Sequence, residues 1–121
     1  MFDSDGGNLE IERYHGKFYE DQYHGYGEWS DLINRYRGEY QNGLKHGDGL
    51  FSTNKYTYEG PYKQNAMHGK GKITYRDGRT FEGHFVHDVP QGHGRLTSLT
   101  ADRSLRIDYE GQFINGLPVK H

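Results

Sequence analysis

The chain has 121 residues, enough for one domain, with 31% hydrophobic residues and a mean hydropathy of −1.10. Lys and Arg number 15 against 17 Asp and Glu, a net charge of −2 with no like-charged run, which excludes nucleic acid as a partner. Cysteine is absent, so a disulfide framework and a thiolate metal site are excluded, and no apolar run is long enough for a secretory core or a membrane span; the expected compartment is the cytoplasm.

Low hydropathy alone points toward disorder, but 11 Tyr, 6 Phe and 1 Trp oppose it, because large rings bury much area from few positions. Glycine, at 18 residues, is about twice its usual share, so it has a regular structural task.

In chain order, Met1–Gly7 resembles the close of a preceding second strand, comparable with the stretch from Ile73 to Arg79. Leu9, Ile11 and Tyr14 then alternate loosely, with one extra residue that predicts a bulge. From Tyr14 the pattern aromatic-x-Gly-x-aromatic recurs: Tyr14-Gly16-Phe18, Tyr36-Gly38-Tyr40, Tyr58-Gly60-Tyr62, Phe81-Gly83-Phe85 and Tyr109-Gly111-Phe113. The leading rings are 22, 22, 23 and 28 residues apart. Ten residues after each of the first four comes a second signature, at His24-Gly25, His46-Gly47, His68-Gly69 and Gln91-Gly92, each with another glycine two residues on. Trp29, Phe51, Ile73 and Leu96 follow at the next alternate position.

A period of two is the strand period, so each unit is a pair of strands with one apolar and one wetted face. Asn42-Gly43, Asp77-Gly78 and Asn115-Gly116 supply reversals between strands. The glycine pairs of the second strands are expected to let neighbouring rings lie flat on bare backbone, shielding it. Between the fourth and fifth units, Leu105, Ile107, Tyr109, Gly111 and Phe113 alternate strictly, which predicts a longer hairpin turning near Ala101–Ser104 with these side chains on one face. The fifth unit is expected to stop after its first strand, because Pro118 cannot donate to a ladder.

These residues resemble the MORN (membrane occupation and recognition nexus) repeat, over roughly residues 14–118. The resemblance implies an all-β fold: an elongated, twisted, open-ended single-layer antiparallel meander of tandem hairpins, about nine strands in one array spanning residues 1–121. It also implies a protein-binding scaffold or adaptor in a cytoskeletal, ciliary, axonemal or similar assembly. Two alternatives are a membrane-proximal module binding anionic phospholipid and an accessory repeat domain of a larger enzyme. Lipid has weak support in the residues, because basic side chains alternate with acidic ones instead of clustering.

No catalytic constellation is assembled. Ser52, Ser98 and Ser104 lack a nucleophile-elbow context, and the glycine pairs have no following helix to make a phosphate cradle. His24, His46 and His68 recur one hairpin apart, about 9–10 Å by strand spacing, too far to share one ion at about 2 Å from each nitrogen. The chain is therefore expected to be no enzyme and to hold no metal or cofactor. An uncovered aromatic face is expected to accept a peptide or helix, lined by Tyr36, Tyr40, Phe51, Tyr58, Tyr62, Tyr75, Phe81 and Phe85. Open sheet edges add strand pairing with a partner, or with a second copy in a homo-oligomer.

Overall fold

The computed structural model describes residues 12–119. Its strands are β1 (Glu12–Tyr19), β2 (Gln22–Asp31), β3 (Arg35–Gln41), β4 (Leu44–Ser52), β5 (Tyr56–Lys63), β6 (Ala66–Met67), β7 (Gly69–Tyr75), β8 (Thr80–Val86), β9 (Val89–Leu99), β10 (Leu105–Ile114) and β11 (Leu117–Pro118). They form one antiparallel sheet in sequence order, with β6 beside β5 as a short prelude to β7. The chain is thus an open meander of hairpins, as the repeat pattern predicts. The expectations for Met1–Gly7, Leu9 and Ile11 lie outside the described residues.

Eleven strands replace the expected nine for local reasons. The second strand of the third unit is divided at His68 into β6 and β7. In the fifth unit a second strand does begin: Pro118 pairs with Phe113 as Pro90 pairs with Phe85, so the expected stop at Pro118 is corrected. Proline is tolerated at this position because Pro90 contributes through its carbonyl, which accepts from the Gly116 N–H at 2.9 Å.

Five two-residue turns close one side of the sheet, at Glu20-Asp21, Asn42-Gly43, Gln64-Asn65, His87-Asp88 and Asn115-Gly116, with positive φ at both residues of each. Paired positive φ is the type I′ geometry that matches strand twist. These turns are stacked: the Gly43, Asn65, Asp88 and Gly116 N–H groups donate to the Tyr23, Lys45, Met67 and Pro90 carbonyls of the preceding hairpin at 2.8–3.0 Å. Backbone hydrogen bonds thereby link each repeat to the one before it outside the strand ladder.

Two kinds of glycine occupy the second strands, and only one matches the packing expectation. Gly47, with φ of 76°, sits at an irregularity in the β3–β4 pairing between Gly38 and Tyr40. Its role is conformational. Gly49 instead belongs to a glycine line in which Gly16, Gly27, Gly38, Gly49 and Gly60 are successive cross-strand partners, as are Gly71, Gly83, Gly94 and Gly111. A Cβ on Gly38 would lie 2.6 Å from both the Tyr36 hydroxyl and the Gly49 Cα, so the ring and the neighbouring strand both require bare backbone there.

A single-layer sheet has no second layer to cover its apolar face, and here the rings cover one another. Each leading ring lies over the glycine line and meets the second ring of its own unit, and the first four also meet that of the next. Tyr36 contacts Tyr40 and Tyr62 at 5.1 and 5.5 Å, Tyr58 contacts Tyr62 and Phe85 at 5.2 and 5.4 Å, and Phe81 contacts Phe85 and Phe113 at 5.3 and 4.9 Å, all edge to face. Such contacts contribute roughly 0.5–1.5 kcal/mol each beyond area burial. Tyr36 and Tyr58 are completely buried as a result.

The β9–β10 hairpin turns through Thr100–Ser104, where the Thr100 and Arg103 N–H groups donate to the Ser104 and Thr100 carbonyls. Its length is as expected, but its facing is not. Ile107 opposes Thr97 while Tyr109 opposes Leu96, leaving Asp108 as an extra residue in β10. This bulge puts Leu105 and Ile107 on the face opposite Tyr109 and Phe113, which corrects the reading of one continuous apolar face.

Candidate binding surfaces

Most of the expected aromatic surface is core. Tyr36, Tyr40, Tyr58, Tyr62, Phe81 and Phe85 are buried, and only Phe51 and Tyr75 keep partial exposure beside them. The expectation of an open aromatic groove is therefore corrected for six of the eight residues, because edge-to-face contacts between successive units close the line they form. Burial raises the phenol pKa of Tyr36, Tyr40 and Tyr62 well above its usual value and that of Tyr58 to about 12, with Asp88 and Asp48 adding to the last.

Lys45 roofs this line in the second unit, its Nζ 4.5 Å from the centroid of Phe51 and 5.4 Å from those of Tyr36 and Tyr62. Desolvation by its surroundings lowers the ammonium pKa, with Asp88 opposing the shift. Tyr23, stacked on Tyr14 at 3.7 Å, and Met67 occupy the corresponding positions of the first and third units. The slot thus takes a flat, a cationic or a flexible side chain according to the unit.

The opposite face carries a line of side chains running from strand to strand through direct partners: His15, Glu28, Arg37, Leu50, Glu59, Lys72, Glu82, Arg95 and Glu110. From Glu59 onward the sign alternates at every strand. The Arg95 guanidinium, 3.1 Å from Glu110, holds that carboxyl below its usual range, with His93 adding to the effect. A parallel line contains Ser52, Thr57, Thr74, Thr80 and Thr97, and the Thr80 and Thr97 hydroxyls are hydrogen-bonded. Over β1–β3 the face has a concavity of about 810 Å³ whose lining mixes Arg13, Arg35 and Arg37 with Glu12 and Glu28.

Phe18, at the first-unit end of the aromatic line, is 61% exposed, and further exposed apolar side chains lie away from that line. Leu32 and Ile33 are 70% and 63% exposed at the tip between β2 and β3. Asp31 fixes that tip by accepting from the Ile33 and Asn34 N–H groups at 2.8 and 2.6 Å, which also lowers its carboxyl pKa. Leu99, Leu105 and Ile107 form the second exposed set, on the polar face of the β9–β10 hairpin. The signal for the first set was present in the sequence: two aliphatic residues between Asp31 and Asn34, both turn formers, have no strand in which to be buried.

Among the described residues no group of three or more His, Asp or Glu side chains is arranged to hold a metal ion. His24, His46 and His68 stand beside Gly25, Gly47 and Gly69, all of positive φ, in the second strands of their units. The Nδ1 atoms of His24 and His68 are buried without a hydrogen-bond partner in the protein.

No curated protein matches the chain. The family model described as the MORN repeat matches it at residues 14–31, 36–55, 58–78, 81–98 and 109–119. Those stretches begin on Tyr14, Tyr36, Tyr58, Phe81 and Tyr109, the five rings that cover the glycine line. MORN repeats are in general binding modules for proteins or lipids. With its five repeats in register and its hairpin meander, the chain belongs to the MORN repeat family.

Proposed function

We propose that the chain is a non-catalytic protein-binding scaffold or adaptor, acting in the cytoplasm as a subunit of a cytoskeletal, ciliary, axonemal or similar assembly. The observation that carries this reading is the polar face, where Glu59, Lys72, Glu82, Arg95 and Glu110 alternate in sign on successive strands. Alternating charge offers complementary contacts to a protein surface of the matching pattern, whereas a bilayer of anionic lipid attracts a clustered basic patch. Aliphatic side chains exposed at Leu32 and Ile33, at the separate tip between β2 and β3, offer apolar contact as well.

The test is affinity capture from the native source with the wild-type chain and with the charge-reversed Glu59→Lys, Lys72→Glu and Glu82→Lys variant. A stoichiometric protein partner retained by the first and lost by the second, at equal thermal stability, supports the scaffold. Salt-dependent flotation with anionic vesicles, without such a partner, replaces it by the lipid-binding alternative.

A further inference from the structure

The charged row of the polar face has a spacing as well as a sign. Glu59, Lys72, Glu82, Arg95 and Glu110 are exposed direct partners on β5, β7, β8, β9 and β10, about 4.8 Å apart by strand spacing. Arg95 and Glu110 pair with each other at 3.1 Å, whereas among the described residues Glu59, Lys72 and Glu82 form no ion pair. Beside this row, in the same register, runs one of shorter side chains, Thr57, Thr74, Thr80 and Thr97. Beyond the threonines, Arg76 donates to the Asn54 carbonyl at 3.2 Å and Leu99 packs on the bare backbone of Gly78. The threonines are thus the floor of a shallow trough that crosses the strands, walled by the charged row on one side and by Arg76 and Leu99 on the other.

We propose that this trough takes an α-helix of a protein partner, laid across the strands, with basic and acidic side chains alternating along one side at steps of three or four residues. The inference rests on the polar face being the partner-binding surface, and it names the element that the partner presents. Spacing selects the helix. Residues on one side of a helix advance by about 5.3 Å per step, so it drifts by about 0.5 Å per strand and about 2 Å from Glu59 to Glu110, which long charged side chains absorb. An extended segment advances about 6.7 Å per same-face step, and with alternating charges it meets a charge of its own sign by the second step. Charge complementarity sets the pattern: basic groups over Glu59, Glu82 and Glu110, acidic groups over Lys72 and Arg95. In the free helix the same side chains pair with one another, which favours the helical form before docking. A single exposed pair contributes little, so recognition requires the whole row in phase.

The probe is a labelled alanine-rich peptide of about 24 residues, long enough to hold a helix alone, with Lys and Glu alternating along one side. Fluorescence anisotropy follows its titration with the full chain at low ionic strength. A second peptide has the same residues on the same side with the two signs sorted into separate blocks, and a third has the alternating sequence interrupted by prolines. Saturable, salt-sensitive binding of the alternating helix is expected, about tenfold tighter than that of either control. The double variant Lys72→Glu with Glu82→Lys keeps the net charge and breaks the alternation, so it should lose that preference at an unchanged melting temperature. If this exchange unfolds the sheet, Lys72→Gln with Glu82→Gln takes its place, with the same loss expected. Equal affinity for the alternating and blocked helices, binding indifferent to the substitutions, or equal binding of the proline-containing peptide overturns the proposal. A captured protein that is lost on charge reversal, in a chain that does not discriminate these peptides, keeps the scaffold reading and removes the helix.

Discussion

The Tyr58 hydroxyl donates to the Pro61 carbonyl at 2.8 Å, reaching across the glycine that separates the two rings of its own unit. Tyr14 makes the same bond to Lys17, Tyr36 to Glu39 and Tyr109 to Gln112, each three residues ahead, at 2.8–2.9 Å. The bond fixes the ring flat on the glycine line and satisfies a phenol that is otherwise enclosed. Only the fourth unit has phenylalanine in this position.

Phe81→Tyr is therefore expected to restore the missing bond, to the His84 carbonyl, and to stabilise the chain by about 0.5–1.5 kcal/mol. Tyr36→Phe and Tyr58→Phe are expected to destabilise it by a similar amount. Urea unfolding of the three variants checks the opposite signs, and a Phe81→Tyr variant less stable than wild type would show that the fourth ring sits differently.

The two glycines of one second strand answer differently to substitution. At Gly49 an added methyl would run into the Tyr36 ring, so Gly49→Ala is expected to cost on the order of 3 kcal/mol through displaced packing. At Gly47 the nearest side-chain atoms are those of Glu39, 3.5 Å away, and the cost of Gly47→Ala, about 1 kcal/mol, comes from a φ of 76°. Asparagine tolerates that backbone, so Gly47→Asn should recover part of the loss while Gly49→Asn should not. Equal responses at the two sites would show that one mechanism governs both.

The repeat register was legible because ring, glycine and ring stand two residues apart, and a strand pairs residues of the same face. What the rings do on that face was not. An exposed line and a buried one need the same residues, and the difference lies in contacts such as Tyr36 with Tyr62, between residues 26 apart in sequence. The inversion at Leu105 and Ile107 was hidden for another reason. Their alternation with Tyr109 is unbroken in the sequence, and the extra residue becomes visible only when Thr97 and Leu96 are set opposite. Turns at Glu20-Asp21 and His87-Asp88 lack the glycine that marks Asn42-Gly43, so their positive φ follows from hairpin length rather than residue type.

Burial of the phenols sets an alkaline limit on stability. Tyr36, Tyr40, Tyr58 and Tyr62 have folded-state pKa values raised above their unfolded value of about 10. Their contribution is complete below that pH, where both states are neutral, and is lost as the unfolded state begins to release protons that the folded state retains. Stability should hold near neutrality, decline from about pH 10, and continue to fall through the Tyr58 value of about 12. Tyrosinate absorbance and circular dichroism recorded together on an upward pH titration should change in one cooperative step for these rings. Ionisation of all the phenols with the sheet intact would contradict the burial argument.

The turn column gives the sharpest separation of backbone strain from hydrogen bonding. Glu20 and Asp21 adopt φ of 50° and 66°, a conformation that side chains with a Cβ resist, and Asn-Gly already occupies the equivalent turn of the next unit. The double substitution Glu20→Asn and Asp21→Gly is expected to raise stability by about 1–2 kcal/mol. Asp88, at 71°, is under the same backbone constraint, but its Oδ1 accepts from the Met67 N–H at 2.7 Å, and so holds one hairpin to the one before it. Asp88→Gly relaxes the turn and removes that tie, so its net effect should be near zero or destabilising. Urea midpoints for the two variants decide the matter: if both stabilise equally, the carboxylate contributes nothing to holding successive repeats together, and the column acts through backbone bonds alone.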